Sequence, residues 1–377
     1  LNCMVLALAS VYTVSGYIKN RLQYISISKI LAYCTEALIL VVFFRIFKPS
    51  VWFVGAALLI STVLYGLMNY GIKKKMTPDL RCRIDHFSFS AVKELLGRGL
   101  WSAFNQIGNM LNTGLDLWIT NLMLDGFKLG QLSIVKTVAT ICSALPSLIT
   151  QPFQPMLLKL YADKDMNGVR KTISFQMKLL GAVSCIVLAG FFVLGESYFE
   201  LWTPNNNSAL LNRIAIITLI GFVFESVASP MFFTYTLSLK NTLPCIVTAV
   251  SGALNVLSMF IFLKFTGLDL YAVVGTTTVL GLITFFIFTP LYSARCIKLP
   301  SLSFYKPIVR IVISDLLTVG FVKIVLRTVA VNSWIGLIGM AAVVGILGLL
   351  LYSISVFDKD ERAKVLRQIK RILCRQR

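Results

Sequence analysis

The chain has 377 residues, of which 57% are hydrophobic and only 14% charged, and its mean hydropathy is +0.80. A soluble domain is about half apolar and a quarter charged, so this composition excludes one and indicates an all-α polytopic membrane protein. A formal net charge of +20 would suit nucleic-acid binding, but the basic residues are dispersed over many loops with no soluble domain to present them, which disfavours that class.

Eleven apolar segments are long enough to cross a bilayer, judged over windows of about 19 residues. In chain order they lie near residues 1–18, 27–47, 51–71, 99–123, 129–154, 173–194, 213–237, 242–263, 270–290, 308–326 and 334–355. The first begins at Leu1, inside an apolar run without a basic flank or cleavage site. Because eleven spans would also place the two termini on opposite sides of the membrane, we expect further helices upstream.

Lysine and arginine are distributed unevenly over the loops. If the loop containing Lys19, Arg21 and Lys29 faces inward, 27 of the 36 basic residues fall on that side and only 6 on the other. The positive-inside rule then predicts a cytoplasmic C-terminus, and the net charge indicates attraction to anionic lipids of the cytoplasmic leaflet. Residues 356–377 mix basic and apolar side chains, which predicts a basic amphipathic helix on the membrane surface.

Two neighbouring spans each carry a stripe of polar residues at helical spacing. The span at 99–123 carries Ser102, Asn105, Asn109, Asn112, Asp116 and Thr120. The span at 129–154 carries Lys136, Thr140, Ser143, Ser147, Gln151 and Gln154. Polar groups are not left facing hydrocarbon, so the two stripes predict a shared polar cavity inside a helix bundle. Their amides suit sugar hydroxyls, or alternatively bond between helices.

Charges within these spans are the strongest site candidates, because a charge at mid-bilayer costs about 2.5–3.5 kcal/mol even on an insertion scale. Asp116 and Lys136 each lie about seven residues from the outer end of their spans, so antiparallel packing predicts an ion pair. The pair either serves neutralisation alone or leaves Lys136 free, in one state, to meet a phosphate on a cargo. Arg98, at the cytoplasmic end of the first striped span, is either a phosphate-receiving residue or a snorkelling flank residue.

Two carboxylates, Glu225 and Glu36, lie nearer the middle of their spans. Each is a candidate for exchanging a proton or a cation and so for coupling transport to a gradient. The sequence leaves open whether either faces the cavity. Asp315 and Lys323 belong to a later span and are expected to be a structural pair or interface residues.

Cysteine and histidine provide no framework for a metal or catalytic site. The eight cysteines contain no CxxC pair, none lies in an outer loop, and His86 is the only histidine. A phosphate-cradling motif of the GxxxxGK[ST] type does not occur, which argues against direct use of ATP. We therefore expect a non-enzymatic protein with no metal and no cofactor.

Ordered motifs over most of residues 90–290 resemble a known family. They are Lys93 to Trp101, Leu115 to Thr120, Leu129 to Val135, Glu200-Leu201-Trp202, Asn255, Lys264 to Leu268 and Val274 to Thr278. In this order and spacing they resemble the Wzx-type O-antigen flippases of the multidrug/oligosaccharidyl-lipid/polysaccharide (MOP) exporter superfamily. The chain departs from the pattern at Leu132-Ser133, where the family usually has a tyrosine, and at Lys136, where it often has a small residue.

The resemblance implies a fold of two helical lobes, MATE/MOP-like, in a protein of fourteen helices whose first three precede this chain. Residues 1–71 would complete the first lobe and 72–98 would form a basic cytoplasmic linker. Residues 99–290 would form a second six-helix lobe, and 291–355 two accessory transmembrane helices. One lobe rocking on the other would give alternating access, a logic used by other repeat-built transporters.

The resemblance also implies a function. The protein would flip polyprenyl-diphosphate-linked oligosaccharide repeat units across the bacterial inner membrane, for O-antigen or another surface polysaccharide. Its partners would be that lipid-linked oligosaccharide, membrane lipids and the polysaccharide polymerase machinery. Two alternatives remain: a cation-coupled multidrug exporter of the same superfamily, which would favour an acidic, aromatic-lined cavity, and a membrane-embedded polysaccharide polymerase or ligase. The short outer segment 195–212 argues against the enzyme.

Overall fold

The protein is helical throughout the part that the computed structural model describes, namely residues 2–18, 21–48, 50–78, 88–326, 331, 333–358 and 361–362. No β-strand occurs in these ranges, as the composition predicts. Most of the predicted C-terminal amphipathic helix lies outside the described residues, as do residues 79–87 of the basic linker, which include His86. The chain divides into two compact units, residues 1–93 and residues 94–377.

The first unit contains three helices: α1 (Asn2–Ile18), α2 (Leu22–Ile46) and α3 (Val51–Met76). Helix α3 packs against both of the others. Polar side chains between α2 and α3 satisfy one another, since Ser61 donates a hydrogen bond to Glu36 at 3.3 Å and Ser28 donates one to Asn69 at 3.5 Å. Pairing of this kind keeps polar groups inside a bundle from facing hydrocarbon unsatisfied.

The second unit contains the remaining helices and carries the polar stripes. Its elements are α4 (Phe89–Asn109), a first π-helix (Met110–Gly114), α5 (Asp116–Met123), α6 (Gly126–Ser143), α7 (Leu145–Thr150), a 3₁₀ turn (Gln151–Phe153), α8 (Gln154–Ala162), α9 (Met166–Trp202), α10 (Ser208–Leu237), α11 (Thr242–Phe265), α12 (Leu270–Ile283), a second π-helix (Thr284–Phe288), α13 (Thr289–Cys296), α14 (Tyr305–Val325) and α15 (Trp334–Val356). Helix α10 packs extensively against α9, and α14 and α15 pack against α9 as well.

Eight helical stretches in the described residues are long and apolar enough, by length and composition, to cross a membrane. They are Gln23–Ile46, Val51–Met76, Gly126–Ala162, Met166–Trp202, Ser208–Leu237, Thr242–Phe265, Leu270–Cys296 and Trp334–Val356. The other three predicted spans are helical too but fall short of the same measure. The apolar part of α1 is brief, α5 has only eight residues and is separated from the first π-helix by a bend at Leu115, and α14 carries four charged side chains.

Two helices extend beyond the predicted spans. Helix α8 continues to Ala162, past the span predicted to end near residue 154, and only residues 163–165 connect it to α9. Asp165 then caps α9 by accepting a hydrogen bond from the Gly168 amide at 2.8 Å. At its other end α9 includes Glu200-Leu201-Trp202, predicted as outer loop. Its 37 residues span about 55 Å at 1.5 Å per residue, longer than the hydrocarbon core.

The predicted pairing of Asp315 with Lys323 is also wrong. Eight residues separate them along α14, which is about 12 Å on a helix and too far for a contact. Asp315 is buried against α9, beside Cys185, whereas the Lys323 ammonium lies 5.6 Å from the ring centre of Phe192. Both residues therefore contact α9 separately, in agreement with the alternative reading as interface residues.

A cluster of charges fixes the end of α15 to the rest of the second unit. Lys178 of α9 contacts Glu361 at 2.7 Å and Asp358 at 3.5 Å, and Arg310 of α14 binds Asp358 at 2.9 Å. The hydrogen bond from Arg310 is the main reason that the pKa of Asp358 lies below its ordinary value, and the charge of Lys178 adds to it. The ionised carboxylate is thus the form that holds α9, α14 and α15 together at this end.

The depressed pKa of Asp358 makes stability depend on acid. A carboxyl with a lower pKa in the folded state contributes stability above its unfolded pKa, and this contribution is lost as the pH falls through the folded value. We expect Tm in detergent to fall more for the wild type than for Asp358→Asn between about pH 5 and about pH 3. The exposed residue Asp163 offers the control: Asp163→Asn should follow the wild type. Equal acid sensitivity of the wild type and Asp358→Asn would contradict the assignment.

Candidate functional site

A cavity of about 850 Å³ lies within the second unit and is the place where the polar stripes meet. Its walls come from α4, the first π-helix, α6, α10, α11, α12, the second π-helix and α13. The polar and charged lining residues are Asn105, Asn109, Asn112, Thr113, Lys136, Thr140, Ser143, Thr218, Glu225, Tyr235, Asn241, Thr248, Ser251, Thr277, Thr278, Thr284 and Thr289. The helices that enclose it present apolar side chains outward, among them Ile141 and Phe262.

The predicted stripes supply one wall of this cavity. Asn105, Asn109 and Asn112 lie along α4 and the first π-helix, and Lys136 and Thr140 face them from α6. These five candidates from the sequence are therefore brought together. Amide groups both donate and accept hydrogen bonds, so the wall can pair with a hydroxyl in either direction and with an anion at Lys136.

Asp116 does not line the cavity, although its spacing continues the stripe. A π-helix contains about one more residue per turn than an α-helix, so the residues after Gly114 are rotated by about 100° from the stripe. The Asp116 carboxylate faces α6 and is fully buried. It accepts a hydrogen bond from the Lys136 ammonium group, so the two form the predicted ion pair. Lys136 remains partly open to the cavity, with its side chain 18% exposed. The cavity's cation is thus held by a carboxylate behind it.

The second half of the polar stripe predicted at 129–154 also does not line the cavity, and this corrects the prediction that Gln151 is a cavity residue. Proline has no N–H, and Pro146 and Pro152 interrupt the ladder, so the helix breaks at Ala144 and again at the 3₁₀ turn. Each break changes the direction that later side chains face. Gln151 is consequently exposed on the turn and is not a lining residue.

The three remaining candidates, Glu225, Glu36 and Arg98, lie in different parts of the protein. Glu225 lines the cavity from the middle of α10, and its side chain is open to the cavity space. Glu36 belongs to the first unit, where it accepts the hydrogen bond of Ser61. The backbone of Arg98 lies in α4, but its side chain is outside what the structure describes.

A network of neutral polar side chains ties the cavity walls together. Asn112, in the first π-helix, donates to the Thr248 carbonyl at 2.9 Å and accepts from the Ser251 hydroxyl at 3.2 Å. Asn255 of α11 donates to the backbone carbonyl of Asn112 at 2.8 Å, and also lies 3.2 Å from the Thr277 hydroxyl. Side-chain donors thus satisfy a backbone carbonyl in the irregular turn, which a π-helix in a bilayer needs.

The second π-helix was not predicted, and its origin lies in Pro290. Without an N–H, Pro290 cannot bond the carbonyl of Phe286 four residues earlier, and the Tyr305 hydroxyl donates to that carbonyl instead at 3.0 Å. Thr284, at the start of this π-helix, lies 3.5 Å from the hydroxyl of Ser251. The polar network therefore extends from one π-helix to the other. A proline after a run of aromatic residues was the available signal.

Glycines allow α4 and α11 to approach closely beside this network. A Cβ on Gly252 would lie 2.6 Å from the Leu111 Cβ and 2.7 Å from the Gly108 carbonyl oxygen. A Cβ on Gly108 would lie 2.9 Å from the Ala249 nitrogen. Small residues at such a crossing are what bring helix backbones together in membrane proteins. The approach places Asn112 and Asn255 within bonding distance.

Comparisons with known proteins show that the chain is similar to a curated membrane protein and to a solved flippase structure. The chain is 26% identical over 353 residues to the uncharacterized membrane protein EpsK of Bacillus subtilis, a match that covers 93% of this chain and 70% of that protein. It superposes with a TM-score of 0.67 on lipid II flippase MurJ in an inward closed conformation, over 93% of this chain and 71% of that one, at 16% identity. No family model matches the chain. The chain therefore has a MurJ-like helical fold.

The buried pair predicts a specific pattern of stability. Lys136→Met leaves the Asp116 carboxylate buried without a counter-charge and should cost about 3–5 kcal/mol, whereas the neutral double variant Asp116→Asn/Lys136→Met should recover most of this loss. Thermal unfolding in detergent measures both. Two losses that simply add in the double variant would show that the side chains act independently.

The close approach of α4 and α11 predicts a second pattern. Gly252→Ala should destabilise the protein by about 1–3 kcal/mol, because the new methyl group overlaps the Leu111 side chain and the Gly108 carbonyl. Gly275→Ala is the matched control, since a Cβ there meets nothing within 4 Å. Thermal unfolding of the two variants under one condition compares them. Tolerance of both would exclude tight packing at this crossing.

Proposed function

We propose that the protein flips a lipid-linked oligosaccharide across the bacterial inner membrane. The observation that carries this proposal is a polar cavity, enclosed by apolar helices, that contains a cation held by a buried carboxylate. A large polar headgroup cannot cross hydrocarbon alone, and a cavity of about 850 Å³ lined by amides and hydroxyls replaces its water.

Each end of the cargo has a matching environment. A diphosphate needs a cation when it leaves water, and Lys136 is the basic residue of the cavity lining. Asp116 balances the charge of Lys136 when the cavity is empty. When the cargo binds, its phosphate replaces Asp116 as the partner of the lysine. Asn105, Asn109 and Asn112 pair with saccharide hydroxyls. The polyprenyl tail stays in the bilayer, so no covalent step is required.

The comparisons support the same class of activity. The solved structure with the similar fold is titled a lipid II flippase, and the curated relative is a bacterial membrane protein. Together with the Wzx-like motifs, they favour a polyprenyl-diphosphate-linked repeat unit of O-antigen or another surface polysaccharide as the cargo. A polysaccharide polymerase would then consume the flipped unit.

Glu225 is proposed as the coupling residue. It lies within the cavity on α10, the helix with the most extensive packing against α9. Binding of a proton or a cation changes its charge and hence the electrostatic potential that the diphosphate meets. Glu36, which is hydrogen-bonded within the first unit, is the less suitable candidate for this role.

A second candidate function has one observation in its favour. Phe222, Phe232, Phe285 and Phe288 also line the cavity, and together with Glu225 they give it the acidic and aromatic character of a multidrug exporter. Aromatic rings and a carboxylate recognise an organic cation. Lys136 in the same cavity would repel such a cargo, which is why the anionic lipid-linked cargo is preferred.

The sidedness of lipid-linked repeat units tests the function. In cells whose only copy carries Asp116→Asn/Lys136→Met, we expect uncapped units to accumulate on the cytoplasmic leaflet, protected from a lectin that cannot cross the membrane. Lys128→Met is the matched control, because Lys128 pairs with Asp269 away from the cavity, and flipping should continue. Units exposed on the outer leaflet in the double variant would assign the protein to a later step. Unchanged units with loss of drug efflux would favour the exporter.

A further inference from the structure

One end of the cavity is formed by a continuous series of aromatic rings, which we call the aromatic wall. Its members are Phe232, Tyr235, Phe285, Phe288 and Tyr292. Phe232 lies 6.2 Å from both Tyr235 and Phe285, measured between ring centres. Tyr292 lies 5.5 Å from Tyr235 and stacks on Phe288 at 5.3 Å. The rings support one another and present a fixed surface.

The aromatic wall is open to the cavity and has hydrogen-bonding groups at its edges. Four of its five members line the cavity, and Phe232 is 36% exposed. Asn241 and Thr289 line the same end. Asn241 is exposed at this end. Ring faces and polar groups therefore occur side by side.

The aromatic wall is separated from the charged part of the cavity. Along α10, Phe232 follows Glu225 by seven residues, which is about 10 Å on a helix. The side of the cavity formed by α12 and the second π-helix also has polar groups first and rings later, because the hydroxyls of Thr277 and Thr278 precede Phe285 by about two turns. The cavity thus holds charge and amides in one part and rings in another, at the separation of a few chemical groups.

We infer that the aromatic wall is a saccharide subsite, distinct from the part of the cavity that meets the diphosphate; the inference rests on the proposed function. A pyranose ring has apolar C–H faces and a rim of hydroxyls. Its faces stack on aromatic rings, and its rim bonds to groups such as the Asn241 amide. This subsite selects glycosylated cargo over the bare lipid diphosphate.

A lipid chain is the less suitable occupant of the same surface. An acyl or polyprenyl chain would cover the amide of Asn241 without offering it a hydrogen-bond partner. The exterior of the bundle already offers abundant apolar surface to such a chain. The combination of rings with donors at their edges matches a sugar.

Binding of two short-chain probes to the purified protein in nanodiscs tests the subsite. The probes are farnesyl diphosphate and farnesyl diphosphate that carries one N-acetylglucosamine. We expect the wild type to prefer the glycosylated probe, and Phe232→Leu/Phe285→Leu to lose about fivefold of its affinity for that probe while binding the bare one unchanged. Phe262→Leu, on the outer side of α11, is the matched control and keeps the preference.

The outcomes separate this inference from the function on which it rests. Asp116→Asn/Lys136→Met should weaken both probes equally, and if it weakens neither, diphosphate recognition at Lys136 is wrong. Absence of any preference in the wild type, or equal weakening of both probes by the leucine variant, would overturn the saccharide subsite. Phe232→Tyr keeps a ring face and should retain the preference, which distinguishes stacking from a loss of folding.

Discussion

The bilayer interior provides no hydrogen-bond partner, and this constraint governs the arrangement of the second unit. Every irregular turn within the membrane must be satisfied by the protein itself. Asn255 supplies a donor to the carbonyl of Asn112 in the first π-helix, and Tyr305 supplies one to Phe286 in the second. Both turns border the cavity, and in each a side chain from a neighbouring helix reaches a backbone carbonyl.

The same constraint explains why Lys136 reaches the cavity with a counter-charge behind it. Asp116 is buried completely and Lys136 partly, and the two share one depth. The rotation introduced by the first π-helix hides the carboxylate while the asparagines before it stay open to the cavity. A single extra residue in one turn therefore converts a uniform polar stripe into an open amide face and a concealed counter-charge.

The sequence predicts the class of fold and much of the cavity, because both follow from periodicity. All eleven apolar segments are helical, and Asn105, Asn109, Asn112, Lys136 and Thr140 line one cavity. Periodicity fails where the helix is not regular: Asp116 lies beyond a π-helix, and Gln151 lies beyond two breaks. The aromatic wall was missed for another reason. Its rings come from α10 and from the adjoining second π-helix and α13, two parts of the chain that are distant in sequence, and phenylalanine is common throughout such a chain.

The two-residue connection between α5 and α6 has a consequence for the biosynthesis of the protein. Only Leu124 and Asp125 separate the two helices, so Asp116 and Lys136 leave the ribosome within 20 residues of each other. Each charge alone would make insertion into the bilayer unfavourable. A hairpin of α5 and α6 that inserts as one unit carries an ion pair instead of two separate charges. Lys136 can therefore enter the membrane without being unpaired, because the segment that carries the lysine also carries its counter-ion.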